Sequence, residues 1–255
     1  MPILWKKSVT LQTKSVTNKN KALGLLIRKN MYTYEYEHPA VTTDCVVFGF
    51  DGNDLSLLLI KRGVEPYKGK WALPGGFMKM DETAEQGALR ELQEETGVKD
   101  IYVEQLHTFT DVHRDPRERV LTIAFMAFVR QEKYEVMGGD DADQARWFRA
   151  SELPELAFDH QHIISVALER LRWKVTYEPL AFHLLNKEFT MTQLQTIYEV
   201  VLGKTFDRRN FHKKMMSLGY IVPTDRQVRS NGRPSTLYTF DERQYDEQVK
   251  RRNAF

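Results

Sequence analysis

Between residues 42 and 130 the apolar positions fall into short runs: Thr42–Phe50, Leu55–Lys61, Trp71–Leu73, Val103–Thr110 and Val120–Arg130. Each is rich in Val, Ile, Leu or Phe and is bounded by Gly, Asp, Asn or Pro, which is the pattern of β-strands. Asp51-Gly52-Asn53 joins the first two as a hairpin turn. One stretch has helical periodicity instead, from Thr83 to Thr96, and stops at Gly97, a residue suited to a left-handed C-terminal position. A second helix, from Asp159 to Lys174, places Ile163, Ile164, Ala167, Leu168 and Leu171 on one side. A core helix, a connector and a dimer contact all satisfy that stripe.

The last third has a different rhythm. Thr192 to Leu202 is helical and closes at Gly203, and Asp207 is placed to cap a further helix that ends before Gly219. A short strand Tyr220–Val222, a polar loop through Gly232 and Pro234, and a strand Thr236–Phe240 follow. Helix, helix, strand, loop, strand is the order of a winged helix. The pattern divides the chain into a basic extension (1–38), a strand-rich domain (39–155), a connector helix (156–180), a winged-helix domain (181–245) and a basic tail (246–255). No internal repeat is visible.

The 255 residues are 42% hydrophobic and 28% charged, as in soluble globular proteins. No apolar run is long enough to cross a bilayer and no secretory signal is seen, so no membrane partner is expected. A single cysteine excludes an internal disulfide and suggests a reducing cytoplasm. Cys45 lies inside an apolar run and reads as a buried strand residue. The net charge of +2 is unevenly spread: residues 181–255 hold 13 Lys and Arg against 8 Asp and Glu. That leaves the earlier part of the chain slightly acidic. Lys6, Lys7, Lys14, Lys19, Lys21, Arg28 and Lys29 precede the first acid, Glu35, in what reads as a solvated tail or a contact for nucleic acid.

The chemistry concentrates between Gly75 and Val98. Five residues separate Gly76 from Glu82 and seven separate Glu82 from Arg90; Glu91-Leu92-Gln93-Glu94-Glu95-Thr96-Gly97-Val98 follows without a gap. On a helix, Glu91, Glu94 and Glu95 share one side, and such like charges cost a few tenths of a kcal/mol per pair unless a cation compensates them. Magnesium, which takes oxygen ligands from carboxylates and phosphates, suits the cluster. Leu92 points the other way as an anchor, Arg90 can pair with a glutamate, and Gly75-Gly76 lets backbone approach closely.

This spacing resembles the Nudix hydrolases at every defining position from Gly76 to Val98, as does the preceding Lys70-Trp71-Ala72-Leu73-Pro74-Gly75. The resemblance implies an α+β chain: a Nudix α/β/α sandwich around a mixed sheet, followed here by a winged helix-turn-helix domain. It further implies Mg2+ (or Mn2+) and hydrolysis of a nucleoside diphosphate linked to another group. Glu91, Glu94 and Glu95 would be metal ligands or base, with Gly75 a further ligand and Arg90 beside them. The general base stays open among these glutamates and the later acids Glu118, Asp140 and Asp141.

Arg114-Asp115-Pro116-Arg117 resembles a segment of Nudix members that act on ADP-ribose and related sugar nucleotides. A glycine often follows the second arginine there; this chain has Glu118. Arg114 and Arg117, with Arg62 and Tyr67, are the expected substrate contacts, because guanidinium groups grip phosphate bidentately. Tyr67 and Trp71 suit either base stacking or the core.

In the basic third, Phe211, Met215 and Leu218 form the buried side of the Asp207–Leu218 helix. Arg208, Arg209, Asn210 and Lys213 on its open side, with Arg229 and Arg233 in the loop, are expected to contact double-stranded DNA. The runs Phe206–Phe211, Gly232–Tyr238 and Leu156–His160 resemble Nudix-related transcriptional regulators. In those proteins the Nudix portion commonly senses ADP-ribose or a sugar, and homodimers bind operator DNA. Their Nudix boxes are often eroded, whereas this one is complete, which favours retained catalysis. Two readings therefore stand: a hydrolase carrying a winged helix, and a regulator whose Nudix pocket only senses its ligand.

Overall fold

The computed structural model describes residues 34–131, 134, 142–229 and 234–252. Most of the basic N-terminal extension, Asp140, Asp141 and Arg233 lie outside the described residues. Residues 34–39 belong to an N-terminal unit, and every element below belongs to the unit Ala40–Phe255.

The first part is a seven-stranded mixed sheet made of β1 (Ala40–Phe50), β2 (Leu55–Arg62), β3 (Trp71–Ala72), β4 (Gly75–Phe77), β5 (Val103–Phe109), β6 (Val120–Arg130) and β7 (Ala142–Arg149). Strand β1 is its axis. It pairs antiparallel with β2 and β4, and parallel with β6 from Ala40↔Val120 to Phe50↔Arg130. The predicted hairpin at Asp51 forms, with the Asp51 carboxylate accepting from the Asn53 and Asp54 amides at 2.8 Å.

Side chains alternate across a strand, and β1 uses both faces. Val46, Phe48 and Phe50 enter one apolar core, whereas Cys45 and Val47 enter the other. The second core is closed by α1 (Ala84–Thr96) through Ala88 and Leu92. The first is closed by α2 (His160–Tyr177) through Ile163, Ile164, Ala167 and Leu171. Helices thus cover both faces, as the α/β/α sandwich requires. The stripe predicted on the 159–174 helix is its sheet-facing side, so α2 is a core helix; Trp173 and Tyr177 stand on its exposed side. Cys45 is buried as expected, and burial pushes its thiol far up.

The second part contains α3 (Ala181–Leu184), β8 (Glu188–Thr190), α4 (Met191–Leu202), α5 (Arg208–Ser217), β9 (Ile221–Val228), β10 (Ser235–Phe240) and α6 (Glu242–Arg252). The strands form a three-stranded antiparallel sheet in the order β8-β10-β9. Its apolar residues Leu184, Phe189, Leu194, Ile197, Phe211 and Met215 continue the core that α2 and the large sheet share.

Five elements escaped the sequence reading: β4, α3, β7, β8 and α6. The residues expected as a basic tail from 246 are helical in their described part. Asp241 accepts from the Gln244 amide, Tyr245 meets Tyr220 and Phe240 edge-on or tilted, and the Gln248 side chain donates to the Leu218 carbonyl at 2.8 Å.

Candidate functional site

Helix α1 is fixed at both ends by its own sequence. Thr83 and Gln86 form a reciprocal capping box, and Gly97, at φ 75°, donates its N–H to the Gln93 carbonyl. With Leu92 buried against the sheet, Glu91, Glu94 and Glu95 are turned toward a cleft of about 650 Å³. Arg90 lies across them. Its guanidinium pairs bidentately with Glu82 (2.7 and 2.9 Å) and also donates to Glu91 at 2.6 Å and Glu94 at 2.9 Å. The contact with Arg90 holds the Glu82 carboxyl down to about 2.

Glu95 sits deepest, 6% exposed, and accepts from the Gly75 amide at 2.8 Å. The donor set fits a hard cation. Glu91 and Glu94 each give one oxygen to Arg90 and Glu95 gives one to Gly75, while their second oxygens make no hydrogen bond among the described residues. Among the described residues these acids do not converge as a ready-made metal cluster, and Arg90 pairs with two of them, Glu91 and Glu94.

Burial, and then the like charges of Glu91 and Asp44, lift the Glu95 carboxyl to about 8, against the Gly75 hydrogen bond that favours its anion. The folded chain therefore holds this proton more tightly than the unfolded chain does. The resulting stability is present at low pH and is lost as pH rises from the ordinary carboxylate range through about 8. Thermal melts of metal-free protein are expected to fall across that window. A divalent cation should recover more of the loss at its alkaline end than at its acid end. An equal cation effect at both ends would contradict this account.

A Cβ would clash at both glycines, but with unlike obstacles. A Cβ at Gly75 would lie 2.2 Å from the Thr43 carbonyl oxygen, and one at Gly76 would lie 2.6 Å from the Glu91 carboxylate. The first obstacle is backbone within the β1–β4 ladder; the second is the end of a flexible side chain. Gly75→Ala is expected to cost about 3 kcal/mol or more, read as a lower urea midpoint. Gly76→Ala should cost clearly less, while displacing Glu91.

Arg62, Lys79 and Arg117 line the same cleft. Arg62 Nε donates to the Pro66 carbonyl at 2.8 Å, and Arg117 pairs bidentately with Asp115 at 2.7 and 3.0 Å. Arg114 also lines the cleft but is buried and spends two nitrogens on Asp159, at 2.7 and 3.0 Å. Tyr67 lies beside the cleft rather than in it, edge-on to Phe158 at 4.8 Å. Trp71 packs against Phe148 in the core. Of the later acids, Glu118 is exposed and does not line the cleft.

The floor holds residues that the sequence reading did not single out. Asp44 Oδ2 accepts from Thr122 at 2.6 Å and lies 3.7 Å from Arg114, and its Oδ1 lies 3.7 Å from His160 Nε2. His160 Nδ1 accepts from the Leu73 amide at 2.8 Å, which fixes the proton of the neutral ring on Nε2. Burial keeps this imidazole below its usual range and therefore neutral. Phe77 and Phe158 add aromatic walls.

In the second part, Asp207 caps α5 by accepting from the Asn210 amide at 2.9 Å. Phe211 and Met215 are buried, so Arg208, Arg209, Asn210 and Lys213 lie exposed on the opposite side, and none of the cations forms an ion pair among the described residues. Arg229 is exposed at the end of β9, whereas Arg226 is tied to Glu188 at 2.7 Å.

Comparison with known proteins covers both parts. Residues 38–167 match the NUDIX domain family, and residues 181–240 match the NrtR DNA-binding winged helix domain. An "ADPR responsive transcriptional repressor NtrR" of Acinetobacter baylyi is 34% identical over 216 residues, 83% of this chain and 86% of that protein. An ADP-ribose pyrophosphatase of Methanocaldococcus jannaschii is 42% identical over 139 residues, 54% of this chain and 77% of that protein. The crystal structure of Shewanella oneidensis NrtR complexed with a 27mer DNA matches with a TM-score of 0.65 at 30% identity, covering 81% of this chain and 95% of that one. No helix among the described residues is long and apolar enough to cross a membrane.

Proposed function

Given that the chain belongs to the Nudix family and carries an NrtR-type winged helix, we propose that it is a divalent-metal-dependent hydrolase of ADP-ribose or a related sugar nucleotide that also binds DNA. The observation that carries the reading is the complete carboxylate helix lining one cleft together with Arg62 and Arg117. Glu91, Glu94, Glu95 and the Gly75 carbonyl would hold the cation, with Mg2+ (or Mn2+) the expected ion. When bound, such an ion neutralises a diphosphate and makes water a better nucleophile.

The chain's own residues supply the rest. Arg90 holds Glu91 and Glu94 in place, and its contact with Glu82 anchors it on the far side. Gly75 fixes Glu95 through its amide. Arg62 and Arg117 offer cationic groups to the phosphates, and Arg114 braces the floor through Asp159. Hydrolysis of ADP-ribose adds water across the P–O–P bond and releases AMP and ribose 5-phosphate. The test is turnover with Mg2+ of a panel comprising ADP-ribose, NADH, sugar nucleotides and dNTPs. Cleavage of one of them supports the enzyme.

A second reading rests on the exposed cationic side of α5. In it the chain is a regulator, a homodimer on operator DNA, whose cleft senses its ligand without hydrolysis. No turnover, together with thermal stabilisation by one compound and release of DNA by it, supports this alternative.

A further inference from the structure

Phe158 has no counterpart among the functional residues expected from the sequence, yet two guanidiniums and two rings, Tyr67 and His160 (centroid 5.3 Å), meet its ring. The Arg62 guanidinium lies 4.9 Å from the ring centroid, the Arg117 guanidinium lies 5.6 Å from it, and Tyr67 meets it edge-on at 4.8 Å. Arg117 also lies 4.9 Å from the Phe77 ring, so two aromatic rings flank one guanidinium.

The backbone places this ring at a cost. Phe158 has φ 53°, a left-handed conformation that bulky L-residues seldom adopt. Such a conformation persists where the neighbours over-determine it, and here they do. The Ala157 amide donates to the Trp71 carbonyl, Asp159 is locked to Arg114, and His160 accepts from the Leu73 amide. With the flanking residues pinned, the aromatic side chain lines the cleft.

We propose that Phe158 is a positioning residue that seats the Arg62 and Arg117 guanidiniums as one clamp for the diphosphate of the ligand. The inference rests on the proposed reading of the cleft as a nucleoside diphosphate site. Arg62 comes from the end of β2 and Arg117 from the loop before β6, and both approach this one ring. Pro66 and Asp115 tether one edge of each guanidinium, the ring supports its plane, and a phosphate oxygen meets donors already oriented.

The experiment titrates inorganic pyrophosphate and ADP-ribose into the full chain by calorimetry, with Ca2+ held constant to suppress turnover. Pyrophosphate reports the clamp, and ADP-ribose reports the ligand class. Phe158→Leu is expected to weaken pyrophosphate about tenfold, while Phe158→Tyr stays within about threefold of the native chain. Pentafluorophenylalanine at 158 keeps the shape of the ring but removes its negative face. It should behave like leucine with an unchanged melting temperature, which a merely structural role would not produce. Native-like pyrophosphate affinity in the leucine and pentafluoro proteins overturns the clamp, as does a native chain that fails to bind pyrophosphate. A Phe158-dependent pyrophosphate affinity without any for ADP-ribose upholds the clamp and removes the proposed ligand class instead.

Discussion

Glu94→Gln and Glu95→Gln are each expected to reduce metal-dependent turnover by about 10²- to 10³-fold, the loss of several kcal/mol of transition-state stabilisation. The amide is nearly isosteric with the acid but carries no charge, so the change removes electrostatics and leaves packing. The two variants should differ elsewhere. Glu94 is partly exposed and gives one oxygen to Arg90, so its variant should melt close to the native temperature. Glu95 is buried with its carboxyl lifted to about 8, so an uncharged group suits its surroundings. The metal-free Glu95→Gln protein should therefore be at least as stable as the native chain above that pH, and should gain less from a divalent cation. Phosphate-ester turnover beside thermal melts with and without Mg2+ makes the check. Full activity in both variants would remove the carboxylate helix from the chemistry.

The second large effect is expected at the other end of the chain. Reversing charge at Arg208 and Arg209 (Arg208→Glu, Arg209→Glu) should reduce affinity for duplex DNA at least 100-fold at low salt, roughly the loss of two phosphate contacts plus repulsion. The slope of log affinity against log salt should fall by about 2. The fold is expected to survive, because both side chains are exposed and acidic residues suit the first turn of a helix. The Asp207 cap is untouched. Fluorescence anisotropy of a labelled duplex over a salt series tests this. An unchanged slope would mean that the cationic side of α5 faces solvent or a protein, not DNA.

What could be read in the sequence follows from how far apart its parts lie. Helix α1 carries its cap, its anchor, its acids and its terminating glycine within fifteen residues, and spacing alone conveys the arrangement. The N-cap of α5 and the hairpin at Asp51 were legible for the same reason. The cleft floor was not. Asp44, Thr122, Arg114, Asp159 and His160 come from segments up to 116 residues apart, and only the parallel pairing of β1 with β6 brings Asp44 to Thr122. Arg114 read as a phosphate contact because its run resembles the ADP-ribose segment and a guanidinium can grip phosphate bidentately; its partner Asp159 lies 45 residues away. Strand β7 was missed because charged Arg146 and Arg149 interrupt its apolar residues, and helix α6 because its sequence is polar. Strand β7 is Ala142–Arg149, with Arg146 and Arg149 exposed, paired to β2 through backbone. Helix α6 is held by Tyr245 and Gln248 rather than by an apolar stripe. Strand β9 runs to Val228, beyond the apolar residues that marked its start, since an exposed two-stranded extension needs no hydrophobic pattern.

The apolar core shared by the large sheet, α2 and the winged helix has a consequence for how the molecule comes apart. Phe48, Leu171, Leu194 and Phe211 belong to one unbroken cluster, so melting the winged helix uncovers one face of the sheet that carries the cleft. The two parts should lose structure in a single cooperative transition, without a stage in which one persists while the other is unfolded. Ligand added to the cleft would then raise the melting temperature of α5 along with its own, and amide exchange in α5 would slow even though the ligand does not touch it.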